Sequence, residues 1–260
     1  MKGKVIVLTG ASGGIGAALA HELAQAGATL ILVGRNEQAL SELSTELGDG
    51  HTVLAADIST ADGRNAILSH CNGLESGVDI LLNNAGISGF VSFDKMDEDK
   101  IMSLININLT STILLTQGML PILSKKPASK IIVIGSAFGG IAFPGFTVYS
   151  ASKFGLRGFT QALSRELADS SVDVRYFAPR ATKTAFNDKN VDALNEALSV
   201  SVDEPSQVAK EFMAFINSGK KRYFVGWPEK LFSRINGAFP SLVDKAIGKQ
   251  LATIKRCLPK

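Results

Sequence analysis

The stretch KVIVLTGASGGIG, residues 4–16, decides the fold. Its first part, Lys4–Thr9, is short, apolar and β-branched, which is typical of a buried strand. Glycines then follow at positions 10, 14 and 16, and they allow a tight turn with close approach of the backbone to a ligand. The next segment, Ile15–Ala26, has helical spacing and ends at Gly27, a common helix stop. The order strand, glycine turn, helix predicts the first unit of a parallel α/β sheet.

The rest of the chain repeats this alternation of strands and helices. Apolar runs predict strands at Thr29–Val33, His51–Ala56, Val78–Leu82, Lys130–Ile134, Val172–Ala178 and Arg222–Val225. Helical spacing predicts helices from the Asn36 cap to about Leu47, and over Thr60–Cys71, Asp97–Leu123 and Tyr149–Ala168. Such alternation indicates a doubly wound parallel sheet with helices on both faces. Ligands bind such sheets beyond the carboxyl ends of the strands, where the strand order reverses.

Composition indicates one globular domain with an extension. The 260 residues are 45% hydrophobic and 20% charged, which is ordinary for a globular protein. We expect a dinucleotide-binding catalytic domain over residues 1–226 and an amphipathic basic extension over residues 227–260. The apolar start is too short for a signal peptide, no membrane-spanning run is evident, and the two cysteines form no disulfide or metal pattern. A cytoplasmic protein is therefore predicted.

Charge is distributed unevenly along the chain. Residues 220–260 contain ten Lys/Arg and two Asp/Glu, a net of +8, whereas the remainder carries a net of −5. A solvated basic surface is the favoured interpretation, and contact with an anionic partner or a membrane surface is the alternative. The extension predicts one or two amphipathic helices that dock on the domain or a second subunit, with membrane-surface binding as second choice. It carries no nucleic-acid recognition motif.

The glycine turn is a candidate phosphate site. Gly10, Ser12, Gly14, Ile15 and Gly16 lie where backbone N–H groups and a helix N-terminus can meet a pyrophosphate. A glycine-rich segment alone is a weak signal, but here it links a strand to a helix.

The second strand is followed by Gly34 and Arg35, with no carboxylate before Glu37. An acidic residue there favours NAD, whereas an arginine favours the 2′-phosphate of NADP. Arg35 therefore predicts NADP(H), and a plain solvent-facing arginine is the alternative. Asp57 is a candidate for the adenine amino group or a helix cap. Asn84, Ala85 and Gly86 form either a close approach to a ribose or a simple turn.

Tyr149 and Lys153 begin a predicted helix and share one face at i, i+4 spacing. A fixed positive charge lowers the pKa of a phenol, so Tyr149 is a candidate proton donor with Lys153 setting its acidity. Ser136, after the fifth strand, is a candidate for holding a substrate oxygen. Asn108 is a candidate for holding a water beside Lys153, although Asn106 is equally placed. Each short motif also matches by accident, as a surface or turn residue.

Together these residues resemble the classical short-chain dehydrogenase/reductase family. TGASGGIG at 9–16 matches its cofactor turn, and NNAG at 83–86 matches its second signature. Asn108, Ser136, Tyr149 and Lys153 stand at the spacings of its catalytic tetrad, which selects Asn108 over Asn106. The resemblance implies a Rossmann-type sheet of about seven strands, a nicotinamide cofactor and hydride transfer without a metal.

The resemblance also assigns further contacts and an assembly. Asp57 and Ile58 would contact adenine, and Pro179, Thr182 and Thr184 would hold the carboxamide and nearby phosphates. Relatives often assemble as homodimers or homotetramers through the helices that bear Asn108 and Tyr149, and the extension is placed to obstruct one such interface.

The sequence departs from this family at two positions. Arg180 follows Pro179 where a glycine is usual, and it is expected to attract an anionic substrate, to close a lid by an ion pair, or to point outward without a role. Gly13 stands where many NADP-preferring relatives carry a basic residue, which leaves Arg35 as the main 2′-phosphate candidate.

A substrate lid is expected over about residues 180–205. Candidate apolar lining residues are Phe138, Phe143, Phe146, Tyr176, Phe186, Leu194, Leu198 and Val200, although aromatic clusters are more often plain core. The predicted function is NADP(H)-dependent interconversion of a carbonyl and an alcohol, on a hydrophobic ketone or oxoacyl compound. A non-catalytic NADP(H)-binding sensor or scaffold is the alternative.

Overall fold

The computed structural model describes residues 1–227 and 229–259. Seven strands form one parallel sheet in the order β3-β2-β1-β4-β5-β6-β7. Their bounds are β1 Val5–Thr9, β2 Thr29–Gly34, β3 Thr52–Ala55, β4 Ile80–Asn83, β5 Ser129–Ile134, β6 Val172–Ala178 and β7 Arg222–Phe224. The strand order reverses between β1 and β4, so the crevice at their carboxyl ends is the expected ligand position. The predicted doubly wound, seven-stranded Rossmann-type sheet is confirmed.

Ten α-helices connect and cover the strands in the described part of the chain. They are α1 Gly14–Gln25, α2 Glu37–Leu47, α3 Ala61–Asn72, α4 Glu98–Ile105, α5 Ser111–Leu123, α6 Thr147–Glu166, α7 Lys189–Ala197, α8 Pro205–Ile216, α9 Glu229–Ala238 and α10 Pro240–Cys257. Short 3₁₀ turns occur at Phe93–Lys95 and Ala137–Gly139.

Alternating strand residues build a core on each face of the sheet. In β1, Ile6 and Leu8 pack with residues of α1 and α8, whereas Val5 and Val7 pack on the opposite face with residues of α3, α5 and α6. Successive side chains of a strand point to opposite faces of the sheet. A strand that is apolar at every position therefore makes both faces apolar. The sheet is thereby fixed from both sides, and its carboxyl edge is held in place for the site.

The helix predicted over Asp97–Leu123 contains an irregular turn. α4 and α5 are joined by a π-helical turn at Asn106–Thr110, and Pro121 lies inside the last turns of α5, which still ends at Leu123. A π turn inserts one extra residue and redirects the side chains around it. The sequence pattern did not indicate this turn, nor did it indicate α8, which begins with Pro205 at its first position.

The C-terminal extension forms two helices that pack on the domain. Ile254 of α10 is fully buried in a third apolar cluster, and Ser233 of α9 is buried. Asn236 Nδ2 donates to the Gly140 carbonyl at 3.0 Å. The other side of the extension exposes large apolar side chains at Trp227, Leu231, Phe232, Phe239 and Leu242. No helix in the described ranges is long and apolar enough to span a bilayer.

Candidate active site

The glycine turn after β1 is closed too tightly for any side chain. Gly10 has a φ of +64°, and a Cβ added there would lie 2.8 Å from Ala85 Cα. A Cβ at Gly16 would lie 2.1 Å from the Gly10 carbonyl oxygen. The left-handed φ and the close backbone approach both require glycine. The turn is therefore a shaped backbone cradle at the start of α1.

Asn84 and Thr9 hold this turn against the end of β4. Asn84 Nδ2 donates to the carbonyls of Thr9 and Gly10, each at 3.0 Å. Thr9 Oγ1 in turn accepts from the backbone N–H groups of Asn84 and Ala85, at 3.0 and 3.1 Å. Sequence reasoning missed Thr9; its signal is a polar residue, 1% exposed, that ends an otherwise apolar strand.

The N-terminus of α1 faces the same crevice without a negative side chain. Its first turn contains no acidic residue, and Gly13 caps it without a side-chain hydrogen bond. The free N–H groups and positive dipole end suit an anion. Thr184 packs over this position, because a Cβ at Gly14 would lie 2.5 Å from its methyl carbon. Ser12 lies exposed beside the turn.

A second crevice continues from the turn toward β2 and β3. Its lining includes Ser12, Arg35, Asp57, Ile58 and Ala85, around a volume of about 810 Å³. Arg35 is exposed and has no ion pair within the described ranges. Asp57 Oδ1 accepts from the Ser59 N–H at 2.8 Å, whereas the cap of α3 is Thr60. The predicted adenine-side residues thus line one crevice, and Asp57 does not cap the helix.

A cavity of about 380 Å³ brings three of the four predicted catalytic residues together, whereas the fully buried Asn108 is not part of its lining. Ser136, Tyr149 and Lys153 line it, with Gly86 and Pro179 at its edge. Further lining comes from the glycine turn, from Asn84, Ala85 and from Thr182. The cavity therefore joins the phosphate turn to the predicted proton donor.

Burial dominates the acid–base properties of Tyr149 and Lys153. Burial raises the pKa of Tyr149 to about 12, and a hydrogen bond with the Ser136 side chain acts in the opposite direction. Burial lowers the pKa of Lys153 to about 8. Lys153 Nζ lies 5.6 Å from the centroid of the Tyr149 ring. Desolvation of the phenolate thus exceeds the opposing effect of the Ser136 hydrogen bond, and the expectation that Lys153 lowers the pKa of Tyr149 stays a prediction.

Ser136 is oriented from two sides. The Phe138 N–H donates to Ser136 Oγ at 3.1 Å, so the hydroxyl hydrogen of Ser136 remains available for another acceptor. Tyr176 lies beneath the loop, 0% exposed, with its hydroxyl 3.4 Å from both the nitrogen and the carbonyl oxygen of Ser136. Tyr176 was predicted as a candidate lining residue; it supports the Ser136 loop from below instead.

The side chain of Asn108 binds the backbone of Ile87, the residue that follows the NNAG motif at 83–86. Its Oδ1 accepts from the Ile87 N–H at 2.8 Å, and its Nδ2 donates to the Ile87 carbonyl at 3.0 Å. A Cβ at Gly86 would lie 3.2 Å from Asn108 Oδ1 and 3.6 Å from Lys153 Nζ. Asn106 instead points toward the Ser59 carbonyl, 3.5 Å away. The π turn thus directs Asn108, and not Asn106, toward the Lys153 side.

Arg180 forms an ion pair, which was one of its three expected roles. Its Nε and Nη2 donate to the two carboxylate oxygens of Asp203, each at 2.8 Å. Glu229 lies on the other side, with its Oε2 3.7 Å from Nη1 of Arg180. The guanidinium therefore has a carboxylate on two of its edges within the protein, which argues against capture of an anionic substrate by this residue.

The lid and the extension close the apolar side of the catalytic cavity. Its apolar lining residues from these elements and from the loop before α6 are Phe138, Phe143, Phe146, Phe186, Val191, Leu194, Leu198 and Val200. Polar and charged side chains of the lid and the extension line it as well, namely Arg180, Thr182, Asn187, Asn195, Glu229 and Gln250. Phe138 stacks on Phe143 with ring centroids 5.4 Å apart, and Tyr149 contacts Phe186 edge-on at 6.1 Å. Most of the predicted apolar residues thus meet around Tyr149, and Gln250 of α10 is a lining residue that the sequence did not reveal.

Comparison with known proteins places this geometry in a family. The model for the short chain dehydrogenase family matches residues 4–195. A 3-oxoacyl-(acyl-carrier-protein) reductase FabG from Vibrio harveyi is 32% identical over 231 residues, covering 87% of this chain and 94% of the relative. Nodulation protein G from Rhizobium sp. (strain N33) is 33% identical over 230 residues, covering 87% and 94%.

Solved structures share the fold. A 3-ketoacyl-(acyl-carrier-protein) reductase from Brucella melitensis, complexed with NADH, superposes with a TM-score of 0.76 at 26% identity, covering 84% of this chain and 92% of that one. A short chain dehydrogenase from Burkholderia cenocepacia has a TM-score of 0.82 at 20% identity, covering 95% and 98%, and shows the fold alone. The chain therefore belongs to the short-chain dehydrogenase/reductase family.

Proposed function

We propose that the protein is an NADP(H)-dependent oxidoreductase that interconverts a carbonyl and an alcohol, on a hydrophobic ketone or oxoacyl substrate. The observation that carries the proposal is the meeting of Ser136, Tyr149 and Lys153 in one cavity that continues into the glycine turn. A proton donor, a second hydrogen-bonding hydroxyl and a cation beside a dinucleotide cradle are what carbonyl reduction requires.

The cradle fits a nicotinamide dinucleotide. Gly10, Ser12, Gly14, Ile15 and Gly16 would hold the pyrophosphate, since side chains at Gly10 and Gly16 would fill the turn. At one end Asp57 and Ile58 would hold adenine, and Asn84, Ala85 and Gly86 would adjoin the ribose. Pro179, Thr182 and Thr184 would hold the nicotinamide end, together with Tyr149 and Lys153. The nicotinamide supplies or accepts the hydride when it is bound.

Arg35 supports the 2′-phosphate form of this cofactor. It is exposed at the adenine-side crevice and no carboxylate neutralises it within the described ranges. A free guanidinium pairs well with a phosphate, often through two hydrogen bonds. NADPH should therefore be preferred over NADH.

The proton steps follow from the pKa directions of the site. Tyr149 holds its proton on the phenolic oxygen at neutral pH, because burial raises its pKa to about 12. It would donate that proton as negative charge develops on the carbonyl oxygen, which then becomes the stronger base. Ser136 offers its hydroxyl hydrogen to the same oxygen. Lys153 has a pKa lowered to about 8, and its Nζ lies 5.6 Å from the centroid of the Tyr149 ring, which supports a role in returning a proton toward Tyr149. Asn108 would hold the adjoining backbone in position.

Substrate chemistry is inferred from the lining and from relatives. The aromatic and aliphatic side chains around Tyr149 favour an apolar carbonyl compound. The Vibrio harveyi relative is named for reduction of 3-oxoacyl groups, which supports an oxoacyl compound. The alternative of a non-catalytic NADP(H) sensor or scaffold requires only the nucleotide site, and the assembled Ser136, Tyr149 and Lys153 argue against it.

A panel of carbonyl compounds, read by the absorbance of NADPH and NADH, tests this proposal. We expect carbonyl-dependent oxidation of NADPH, faster than of NADH, with apolar ketones or 3-oxo esters. Binding of NADPH with no turnover across the panel would favour the sensor.

The assembly is proposed to be a homodimer or homotetramer. Large apolar side chains are exposed on the helices that relatives use for pairing: Met102 of α4 (63%), Leu114 of α5 (39%) and Phe154 of α6 (38%). Pairing of these helices between subunits would remove the three side chains from water, which supports the proposed assembly. Light scattering after size-exclusion chromatography should give a multiple of the chain mass, and Phe154→Glu should shift it toward one chain.

Exposed apolar side chains also support a proposed weak contact of the extension with membrane surfaces, in an otherwise cytoplasmic enzyme. Trp227 and Phe239 are exposed among the basic residues of the extension, at 68% and 63%. Apolar and basic residues together favour anionic bilayers. Sedimentation with phosphatidylglycerol vesicles, but not with phosphatidylcholine vesicles, is the expected result.

A further inference from the structure

Arg180 joins three separate segments of the chain. It follows β6, its first partner Asp203 lies just before α8, and its second partner Glu229 is the first residue of α9. The lid lies between Arg180 and Asp203, and the extension begins near Glu229. The guanidinium of a residue that follows β6 therefore contacts the end of the lid and the start of the extension.

The two ion pairs of Arg180 differ in strength. Asp203 accepts two hydrogen bonds and is also fixed by its backbone, since its N–H donates to the Ala181 carbonyl at 2.9 Å. Glu229 makes only the 3.7 Å contact, and its Oε2 is buried without a hydrogen-bond partner. The three side chains are only 18%, 11% and 20% exposed, so water screens them less than it screens a surface pair.

The extension that Glu229 begins reaches the catalytic cavity. Gln250 of α10 lines the cavity. One turn further, Ile254 is fully buried in the cluster that includes Phe146, Tyr149 and Leu194. Gly226, at a φ of +88°, leaves room for the Arg180 to Glu229 contact, since a Cβ there would lie 2.7 Å from Glu229 Oε2. The contact of Arg180 with Glu229 thus lies at the start of the segment whose later helix, α10, forms part of the cavity wall.

We propose that Arg180 is a positioning residue that holds α9 and α10 as a wall of the substrate cavity, and that this wall selects carbonyl substrates with a long apolar chain. The substrate part rests on the proposed function. Each methylene group that the wall removes from water contributes about 0.8 kcal/mol, which corresponds to roughly four-fold in affinity. A wall that is loosely held would lose that discrimination while the proton donor stays in place.

Glu229→Gln tests the proposal, with Glu204→Gln as the matched control. Glu204 also has its partner nitrogen, on Lys183, at 3.7 Å, but both side chains are exposed. The reaction is oxidation of NADPH by a series of esters from ethyl acetoacetate to ethyl 3-oxodecanoate. We expect wild type and Glu204→Gln to prefer the longest ester by about ten-fold or more in kcat/KM. Glu229→Gln should prefer it by less than about three-fold, because the KM for the longest ester rises more than the KM for ethyl acetoacetate.

Hydrogen–deuterium exchange of the full chain tests the wall without any substrate. Backbone amides of α10 should exchange faster in Glu229→Gln and in Arg180→Gln than in wild type, and Glu204→Gln should match wild type. Unchanged exchange in both Arg180→Gln and Glu229→Gln would overturn the positioning role. Faster exchange with an unchanged chain-length preference would overturn the selective wall. If wild type reduces no ester or other carbonyl, the proposed function fails, while the exchange result still decides the role of Arg180.

Discussion

The cofactor half and the substrate half of the site are built by different physical means. At the glycine turn, the side chains of Thr9 and Asn84 hold neighbouring backbone groups through three hydrogen bonds of 3.0 Å. At the lid and the extension, one guanidinium and a set of apolar contacts hold segments that are far apart in sequence. The first half tolerates almost no change in shape, whereas the second can be loosened without dismantling the sheet.

The sharpest test of this difference is a methyl group in the turn. Gly16→Ala would place a Cβ 2.1 Å from the Gly10 carbonyl oxygen, so the turn must open and the pyrophosphate site is lost. We expect the Kd for NADPH to rise by about a hundred-fold or more, equal to about 2.7 kcal/mol, measured by titration of nucleotide fluorescence. Gly248→Ala is the control: no atom within 4 Å meets its Cβ in α10, and it should bind NADPH as wild type does.

A charge change at the same half should alter cofactor choice but not the turn. Arg35→Asp replaces the free guanidinium with a group that repels a 2′-phosphate. The Kd for NADPH should rise by about ten- to a hundred-fold, with the Kd for NADH changed little, as determined by calorimetry. An unchanged ratio of the two dissociation constants would remove Arg35 from the 2′-phosphate site.

In the substrate half, the strongest single contact is the pair of Arg180 and Asp203. Asp203→Asn leaves the guanidinium without its bidentate partner, and we expect a loss of about 1 to 3 kcal/mol in the free energy of unfolding. Urea denaturation measures this loss. NADPH affinity should change less than in Gly16→Ala. A loss of NADPH binding as large as in Gly16→Ala would mean that the two halves are one mechanical unit.

The smallest expected effect concerns Lys153, at the boundary of the two halves. Its pKa is about 8 in the folded protein, and its ordinary value of 10.5 applies to the unfolded chain. The unfolded chain therefore binds more protons between these two pH values. The contribution of Lys153 to the free energy of unfolding should therefore rise with pH from about 8 toward 10, by up to about 2 kcal/mol, whereas the buried thiol of Cys71, with its pKa raised to about 11, acts with the opposite sign above pH 9. Lys153→Met should flatten this rise in urea titrations at several pH values. A slope that persists in Lys153→Met would assign it to other groups.

The sequence predicted the cofactor half better than the substrate half, and the reason is physical. The turn is local: glycines at fixed spacing after a buried strand specify a backbone shape, and that shape is the site. The assignment of Asn108 over Asn106 came only from family resemblance, because the π turn that orients Asn108 has no simple sequence signal. Roles of the individual site residues stay predictions until variants are measured.

The substrate half depended on contacts that no local pattern encodes. Arg180 was singled out as unusual, but the sequence left three roles open, since Asp203 and Glu229 meet it only through folding. Gln250 reaches the cavity because α10 folds back over the lid. Tyr176 was expected in the lining, yet its strand position turns it under Ser136. The raised pKa of Tyr149 likewise follows from how deeply the surrounding aromatic side chains bury it.

The most direct test of the central claim is the reduction of ethyl acetoacetate by Tyr149→Phe. The variant keeps the ring and its contacts with Phe138 and Phe186, and removes only the phenolic hydroxyl group that carries the proton. NADPH should bind within about two-fold of wild type, and kcat should fall by about a thousand-fold or more, within the range attributed to a positioned general acid. Undiminished turnover in Tyr149→Phe would contradict the assignment of Tyr149 as the proton donor.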